Sequence, residues 1–317
     1  KRIVEKNENI PQFTSCCPGW VTFVETFYPE LLNNLSTAKS PISMQGVTIK
    51  TYFAKKANID PSKIVNVTIT PCTAKKFEID RPEMNDSAKF NDIEGLRGND
   101  IIITTKELAK WIKEEGIDFE NLEGSKFDNM LGLGSGAGVI FGNSGGVTEA
   151  AVRTAYHSIT GEDPTTELLN FEPVRVLDGV KEASITIGEV NLKLAVVQGT
   201  ANARTLIEKI KNNEVNYDFI EVMACKGGCI GGGGQPKTTK VINDKIRLSR
   251  IEGLYNKDQK LKIKCSYQNT DIIAVYNEFY KEPLSHLAHE LLHTTYSSKK
   301  HMLGLDNNEE ISSDEII

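Results

Sequence analysis

A chain of 317 residues with 39% hydrophobic and 25% charged side chains has the composition of a globular protein able to bury a large core. Its 37 basic against 43 acidic side chains give a formal net charge of -6, which removes nucleic acid as a default partner. No apolar run reaches the length of a membrane span, no secretory signal is visible, and six cysteines in so long a chain are not a disulfide framework, so the cytoplasm is the expected compartment.

In chain order, residues 1–9 are polar. Residues 21–35 have helical spacing, with Phe23, Val24 and Phe27 on one face, until Pro29 interrupts it. A second helix is expected over 47–56, a strand over 64–69 leading to Cys72, and another strand over 101–104. Thr104 and Glu107 then form a capping box opening a helix through Glu115, closed by Gly116 and striped with Leu108, Trp111 and Ile112. A loop over 118–133 precedes the small-residue run 134–146, in which Val139, Ile140 and Phe141 argue for close packing. A helix over 147–157 follows. Strands are expected over 174–177, 183–187 and 192–197, the last two as a hairpin around Gly188-Glu189, and a helix over 201–211 leads to a strand beginning at Phe219. The expected fold is α/β: two α/β lobes with mixed sheets flanked by helices, residues 1–128 and 129–300, with an acidic, disordered tail over 301–317.

The segment F-I-E-V-M-A-C-K-G-G-C-I-G-G-G-G-Q-P, from Phe219 to Pro236, reads as a buried strand running into a loop that carries Cys225 and Cys229. Its glycines keep side chains away from whatever the thiolates hold and let backbone N–H groups approach an anionic object. Two thiolates are too few for a cluster. Cys17 in T-S-C-C-P-G-W and Cys72 in P-C-T-A-K-K are the available partners, the latter at the end of a strand. Buried core thiols, a zinc knuckle and a phosphate loop are the alternatives. Only Cys225 and Cys229 have knuckle spacing, and G-x-x-x-x-G-K-[ST] is absent. Four thiolates with proline beside two of them fit a cubane iron-sulfur cluster better, in the cleft between the lobes.

T-S-C-C-P-G-W, P-C-T-A-K-K-F-E and E-V-M-A-C-K-G-G-C-I-G-G-G-G-Q-P, in that order, resemble the three signature segments of the [FeFe]-hydrogenase catalytic domain. F-Y-P-E-L-L-N-N-L-S-T-A-K-S-P, S-G-A-G-V-I-F-G and A-H-E-L-L-H extend the resemblance over residues 10–296. It implies an H-cluster, a [4Fe-4S] cubane joined through one cysteine sulfur to a diiron unit with CO, cyanide and an amine-containing dithiolate. Cys17, Cys72, Cys225 and Cys229 would bind the cubane, with Cys229 as the bridge. Cys16 would pass protons to the dithiolate amine, with Ser36 next on the outward route. Lys75 would donate to a cyanide ligand, and Pro41, Phe141, Gly142 and Met223 would line the diiron pocket. Reversible reduction of protons, ferredoxin or a similar electron carrier, and dedicated maturation proteins follow from the same resemblance. Thr70, Ile42 and Lys226 depart from the residues many members carry, respectively a methionine, a glutamine, and a proline or histidine, so altered potential or proton gating is expected and a hydrogen-sensing relative with little turnover is the alternative. Family members usually carry a substantial segment before the first signature, and a fragment of a longer chain is the expectation.

His289-Glu290-Leu291-Leu292-His293 is a literal H-E-x-x-H, the zinc-peptidase pattern, with Glu309 and Glu310 as candidate third ligands. Leu287, Leu291 and Leu292 favour an amphipathic surface helix instead. Cys265 matches no signature and reads as a bystander thiol. The cation-rich stretch 237–264 reads as a solvated face or as a docking surface for an acidic electron carrier.

Overall fold

The computed structural model describes residues 9–128, 131–169, 171, 179–237 and 243–304. Among these, the strands are β1 (Gln12–Phe13), β2 (Val67–Thr70), β3 (Ile101–Thr104), β4 (Val180–Ile187), β5 (Val190–Gln198) and β6 (Phe219–Met223). They form a four-stranded sheet in the order β1-β6-β5-β4 and a two-stranded parallel sheet of β2 and β3. In the larger sheet β1, β6 and β5 are parallel and β4 is antiparallel. The helices that frame the site are α1 (Pro18–Phe27), α2 (Pro41–Thr48), α3 (Lys75–Glu78), α4 (Thr105–Glu114), α5 (Gly136–Ile140), α6 (Gly146–Thr160), α7 (Thr200–Lys211), α8 (Asp244–Lys260) and α9 (His286–Leu292). This is the expected α/β architecture of mixed sheets and flanking helices.

Strand alternation places the core. Ala195 and Val197 of β5, with Ile220 and Val222 of β6, pack against Trp20, Val21 and Val24 of α1 and Ala203, Leu206 and Ile207 of α7. Leu192 and Leu194 point the other way, joining Ile187 and Val152 of α6. Each large aliphatic side chain withdrawn from water here contributes about 1.5–3 kcal/mol, so the loop that leaves β6 starts from a rigid base. The expected hairpin forms between Val180–Ile187 and Val190–Gln198, turning at Gly188 with φ +60°. The capping box is present: Glu107 N–H donates to Thr104 Oγ1 at 3.2 Å and Thr104 N–H donates to Glu107 Oε2 at 2.8 Å.

The strand expected over 64–69 runs over Val67–Thr70 instead, and three further features differ from expectation. The first helix stops at Phe27, and Pro29 opens a 3-10 turn through Asn34, because proline suits a first turn and not a helix interior. The second helix begins earlier, at Pro41, and continues through a π turn, Ile49–Phe53, to Ala57. The first cysteine segment attaches to the larger sheet: Gln12 and Phe13 pair with Phe219 and Ile220, so the Cys16-Cys17 turn and Cys225 leave neighbouring strands. The strand expected over 174–177, Glu309 and Glu310, and the end of the acidic tail lie outside the described residues.

A buried ion network ties α6 to α8. Arg153 is fully buried and donates to Glu149 Oε1 at 2.7 Å and to Asp258 Oδ2 at 2.7 Å. Tyr255 OH donates to Glu149 Oε2 at 3.1 Å, and Asn143 Nδ2 donates to Tyr255 OH at 3.3 Å, reaching the turn between α5 and α6. Arg153→Met removes the cation and strands two buried carboxylates. A loss of about 3–5 kcal/mol is expected, read as a lower urea midpoint at unchanged slope. An unchanged midpoint would show the network to be dispensable.

Candidate metal centre

Each cysteine sits where a segment leaves a regular element. Cys17 caps the N-terminus of α1 in extended backbone, with Pro18 at the first helical position. Ala224 N–H donates to Cys17 Sγ at 3.5 Å, joining the first and third cysteine segments. Cys72 follows β2, and its sulfur accepts from the N–H groups of Ala74 and Lys75 at the start of α3. Cys225 and Cys229 follow β6, and Gly233 N–H donates to Cys225.

The glycine run does more than bare N–H groups to an anion. A Cβ on Gly228, which has φ +81°, would lie 2.5 Å from Ser144 N, and one on Gly232 would lie 2.4 Å from Pro71 O. Gly234 N–H donates to Pro71 O at 2.9 Å and Ile230 N–H to Gly142 O at 3.0 Å. The cysteine loop is therefore pressed, backbone to backbone, onto both the Pro71-Cys72 turn and the Gly142–Ser144 turn. A side chain at these positions would push the segments apart.

Electrostatics brings the four thiols together. Burial, then the neighbouring Cys17, pushes the Cys72 thiol up. Burial, then Cys17 and Cys72, pushes Cys225 up to about 11 and Cys229 up to about 12. Among the described residues no three His, Cys, Asp or Glu side chains converge closely enough to share one metal ion. Thiols near enough to repel one another, from three separate segments, are candidates to share one multi-iron cluster. Cys72, Cys225 and Cys229, thiols whose ionisation burial opposes, together with the neighbouring Cys17 are a donor set that a cationic cluster would satisfy.

This predicts a pH dependence for the metal-free protein. Folded-state values for Cys72, Cys225 and Cys229 lie above those of the unfolded chain, so the unfolded state loses its protons first. Their stabilising contribution is complete below about pH 8 and is lost as pH rises through about 8.5 toward the raised values. The melting temperature of the apo form should fall between about pH 8 and about pH 10, and fall less steeply in Cys229→Ala. Identical slopes in parent and variant would contradict the assignment.

Cys16 lies beside this group. Burial first, then Cys17, Cys229 and Glu221, holds its thiol well above the ordinary value, with Lys75 opposing. Lys75 is buried, and its Nζ donates to Cys16 O at 3.0 Å and to Glu78. A solvated surface lysine is thereby excluded. Met223 is buried at the end of β6. Pro41 and Phe141 line one largely apolar cavity of about 410 Å³, with Met44, Leu131, Leu133 and Tyr276. Gly142 joins the site through its carbonyl bond to Ile230. Ser36 is tied to the Cys16 segment only through main chain: Ser36 N–H donates to Phe13 O at 2.8 Å, while its hydroxyl accepts from Ala38 N–H at 3.3 Å. Among the described residues no side-chain hydrogen bond joins Ser36 to Cys16.

The profile described as "Iron only hydrogenase large subunit, C-terminal domain" matches residues 1–233, and that described as "Iron hydrogenase small subunit" matches residues 244–299. The chain belongs to the iron-only hydrogenase family. It is 44% identical over 295 residues to iron hydrogenase 1 of Clostridium pasteurianum, covering 92% of this chain and 50% of that protein. It is 31% identical over 296 residues to the cytosolic iron-sulfur assembly component 3 of Bos taurus, covering 92% of this chain and 60% of that one. The apo [FeFe]-hydrogenase HydA1 of Chlamydomonas reinhardtii, variant C377H, superposes with a TM-score of 0.78 at 39% identity, covering 94% of this chain and 78% of that one. The chain spans about half the length of the hydrogenase relative it matches in sequence.

Within this iron-only hydrogenase fold, two supporting residues escape a reading of the sequence. Glu221, fully buried in β6, accepts from Gly145 N–H at 2.7 Å, Thr148 N–H at 2.8 Å and Thr148 Oγ1 at 3.0 Å, fixing the N-terminus of α6 against the strand. Burial pushes its carboxyl up. Gln198 Oε1 accepts from Gly227 N–H at 2.7 Å, holding the cysteine loop. The only signal for Glu221 is a carboxylate inside an apolar strand, which demands buried partners.

The three departures resolve unevenly. Thr70 is buried and pairs with Thr104 at the end of β2. Ile42 accepts from Asn99 Nδ2 through its carbonyl at 3.0 Å. The Lys226 amine, half exposed, pairs with Asp244 at 2.7 Å rather than standing as a bare charge beside the cysteines. Part of the cation-rich stretch is also structural, since Arg250 donates to Ile230 O and Pro236 O at 2.8 Å each. The H-E-x-x-H segment does not form a peptidase centre: α9 ends at Leu292, His293 is extended, and Glu290 faces His286 at 3.9 Å.

Proposed function

We propose that this chain is the H-cluster domain of an iron-only hydrogenase interconverting H2 with two protons and two electrons. The observation that carries the reading is the convergence of Cys17, Cys72, Cys225 and Cys229 from three distant segments, with Cys16 as a fifth thiol beside them. The four cysteines would hold the cubane, with Cys229 bridging to the diiron unit. When bound, that group supplies electron storage and an open metal position. The chain's own residues do the rest. Burial keeps the Cys16 sulfur protonated at neutral pH, ready to give a proton inward and be refilled from the Ser36 side. Lys75, already fixed by Cys16 O and Glu78, presents a buried cation where a cyanide ligand would gain most from it. Pro41, Phe141, Gly142 and Met223 would line the diiron unit and keep water from it.

Electrons would enter from ferredoxin or a similar acidic carrier docked on the cation-rich stretch, whose exposed Lys245, Lys257 and Lys260 lie on α8. Maturation proteins deliver the diiron unit. The greater identity to the hydrogenase than to the assembly component supports the enzyme over an assembly role. The test is an infrared spectrum of anaerobic protein co-expressed with maturation proteins, together with hydrogen evolution from a reduced carrier. Carbonyl and cyanide bands with turnover are expected. Bands without turnover would indicate a sensing module, and no bands would sink the reading.

A further inference from the structure

The H-E-x-x-H segment is the one sequence motif the cluster chemistry leaves unused. His289 is exposed on α9 and His293 caps its C-terminus half-buried, yet their rings stack with centroids 4.5 Å apart and planes 13° from parallel. His293 Nδ1 lies 2.8 Å from Thr37 Oγ1. With Thr37 as acceptor, Nδ1 carries the proton and Nε2 carries the free lone pair. A hydrogen bond on the far ring nitrogen is how metal-binding histidines are fixed in tautomer and orientation. Thr37 is itself held in place. Thr294 N–H donates to Thr37 O at 2.8 Å, Ala38 bridges to His293 antiparallel, and Lys39 N–H donates to Leu292 O at 2.9 Å.

We infer that His289 and His293 form a two-imidazole site for a divalent transition-metal ion such as Zn2+, oriented by Thr37. Imidazole suits zinc, copper and nickel; because stacked rings aim their in-plane lone pairs side by side, zinc–nitrogen bonds of about 2.0–2.1 Å require the exposed His289 ring to rotate out of the stack while His293 stays fixed by Thr37. No third protein ligand converges there among the described residues, so water completes the coordination and the ion exchanges with solvent. The site is thus neither a closed structural zinc centre nor the three-ligand centre of a peptidase. Its place gives it a consequence: Thr37 follows Ser36, and Tyr296 OH donates to Ser36 O at 2.6 Å, so an ion here stiffens the segment that carries Ser36.

The test is equilibrium dialysis of the protein against ZnCl2, comparing the parent with a His289→Gln/His293→Gln double variant. The difference cancels whatever zinc the cysteines take, so the result does not depend on the cluster. One additional Zn2+ per chain in the parent is expected, removable by a chelator. Thr37→Val should weaken that binding about 10-fold. His286→Gln, on the same helix and almost fully exposed, should change nothing. Equal zinc in parent and double variant overturns the site, and so does a loss of equal size in His286→Gln. Circular dichroism melts of all four proteins separate lost binding from lost fold.

Discussion

Cys229→Ala is expected to abolish the carbonyl and cyanide bands and to bring hydrogen evolution to background while the fold survives. Cys229 lies in the 3-10 turn Gly228–Gly231, whose backbone is held by Gly142 O and by its own Gly232 N–H contact, none of which involves the sulfur. Replacing the sulfur by a methyl leaves those bonds in place. In the metal-free protein it also removes a thiol whose ionisation burial and three neighbouring cysteines oppose. The apo variant should therefore melt no lower than the parent at about pH 9, which separates a missing ligand from a misfolded chain. Cys265→Ala is the control: that thiol is fully buried and is held near Tyr267, so it should keep every band. Intact bands in Cys229→Ala would remove it from the bridge.

What the sequence discloses about this site follows from how local the physics is. The four candidate cysteines are legible because each lies in a short segment whose glycines and prolines are dictated by that segment's own turn. The capping box at Thr104 and the hairpin at Gly188 are legible for the same reason, since the residues that decide them are neighbours in the chain. The attachment of Gln12–Phe13 to β6 is not, because two residues carry no periodicity and their partner is more than two hundred positions away. Glu221 is hidden by its context: F-I-E-V-M reads as a buried strand with no partner in view for a carboxylate, and only the arrival of α6 supplies the N–H groups that hold it. Lys226 is misjudged in the opposite sense. Proximity in sequence to Cys225 suggests a charge on the cluster, whereas Asp244 neutralises it from the start of α8. Arg250 belongs to the same class, a cation whose work is to hold carbonyls of the cysteine loop.

Cys16→Ala should separate cluster from catalysis more sharply than any other change. Cys16 precedes the α1 cap, and its contribution to the backbone is a carbonyl that accepts from Lys75, which alanine keeps. Cluster content and the infrared bands should thus match the parent. Turnover should fall by about 10²–10⁴-fold, the usual contribution of a positioned general acid or base. Cys16→Ser should not rescue it, because a hydroxyl in the same buried, negatively biased surroundings releases its proton far less readily than a thiol. The direction of the Cys16 shift fixes the pH signature as well. A thiol held well above its ordinary value stays protonated across neutral pH, so the parent's rate should show no loss of this donor until distinctly alkaline pH, while the alanine variant's residual rate should lack that limb altogether. Parent-like turnover in Cys16→Ala would take the proton route away from this residue and leave Lys75 and Glu78, the buried pair next to it, as the groups to test.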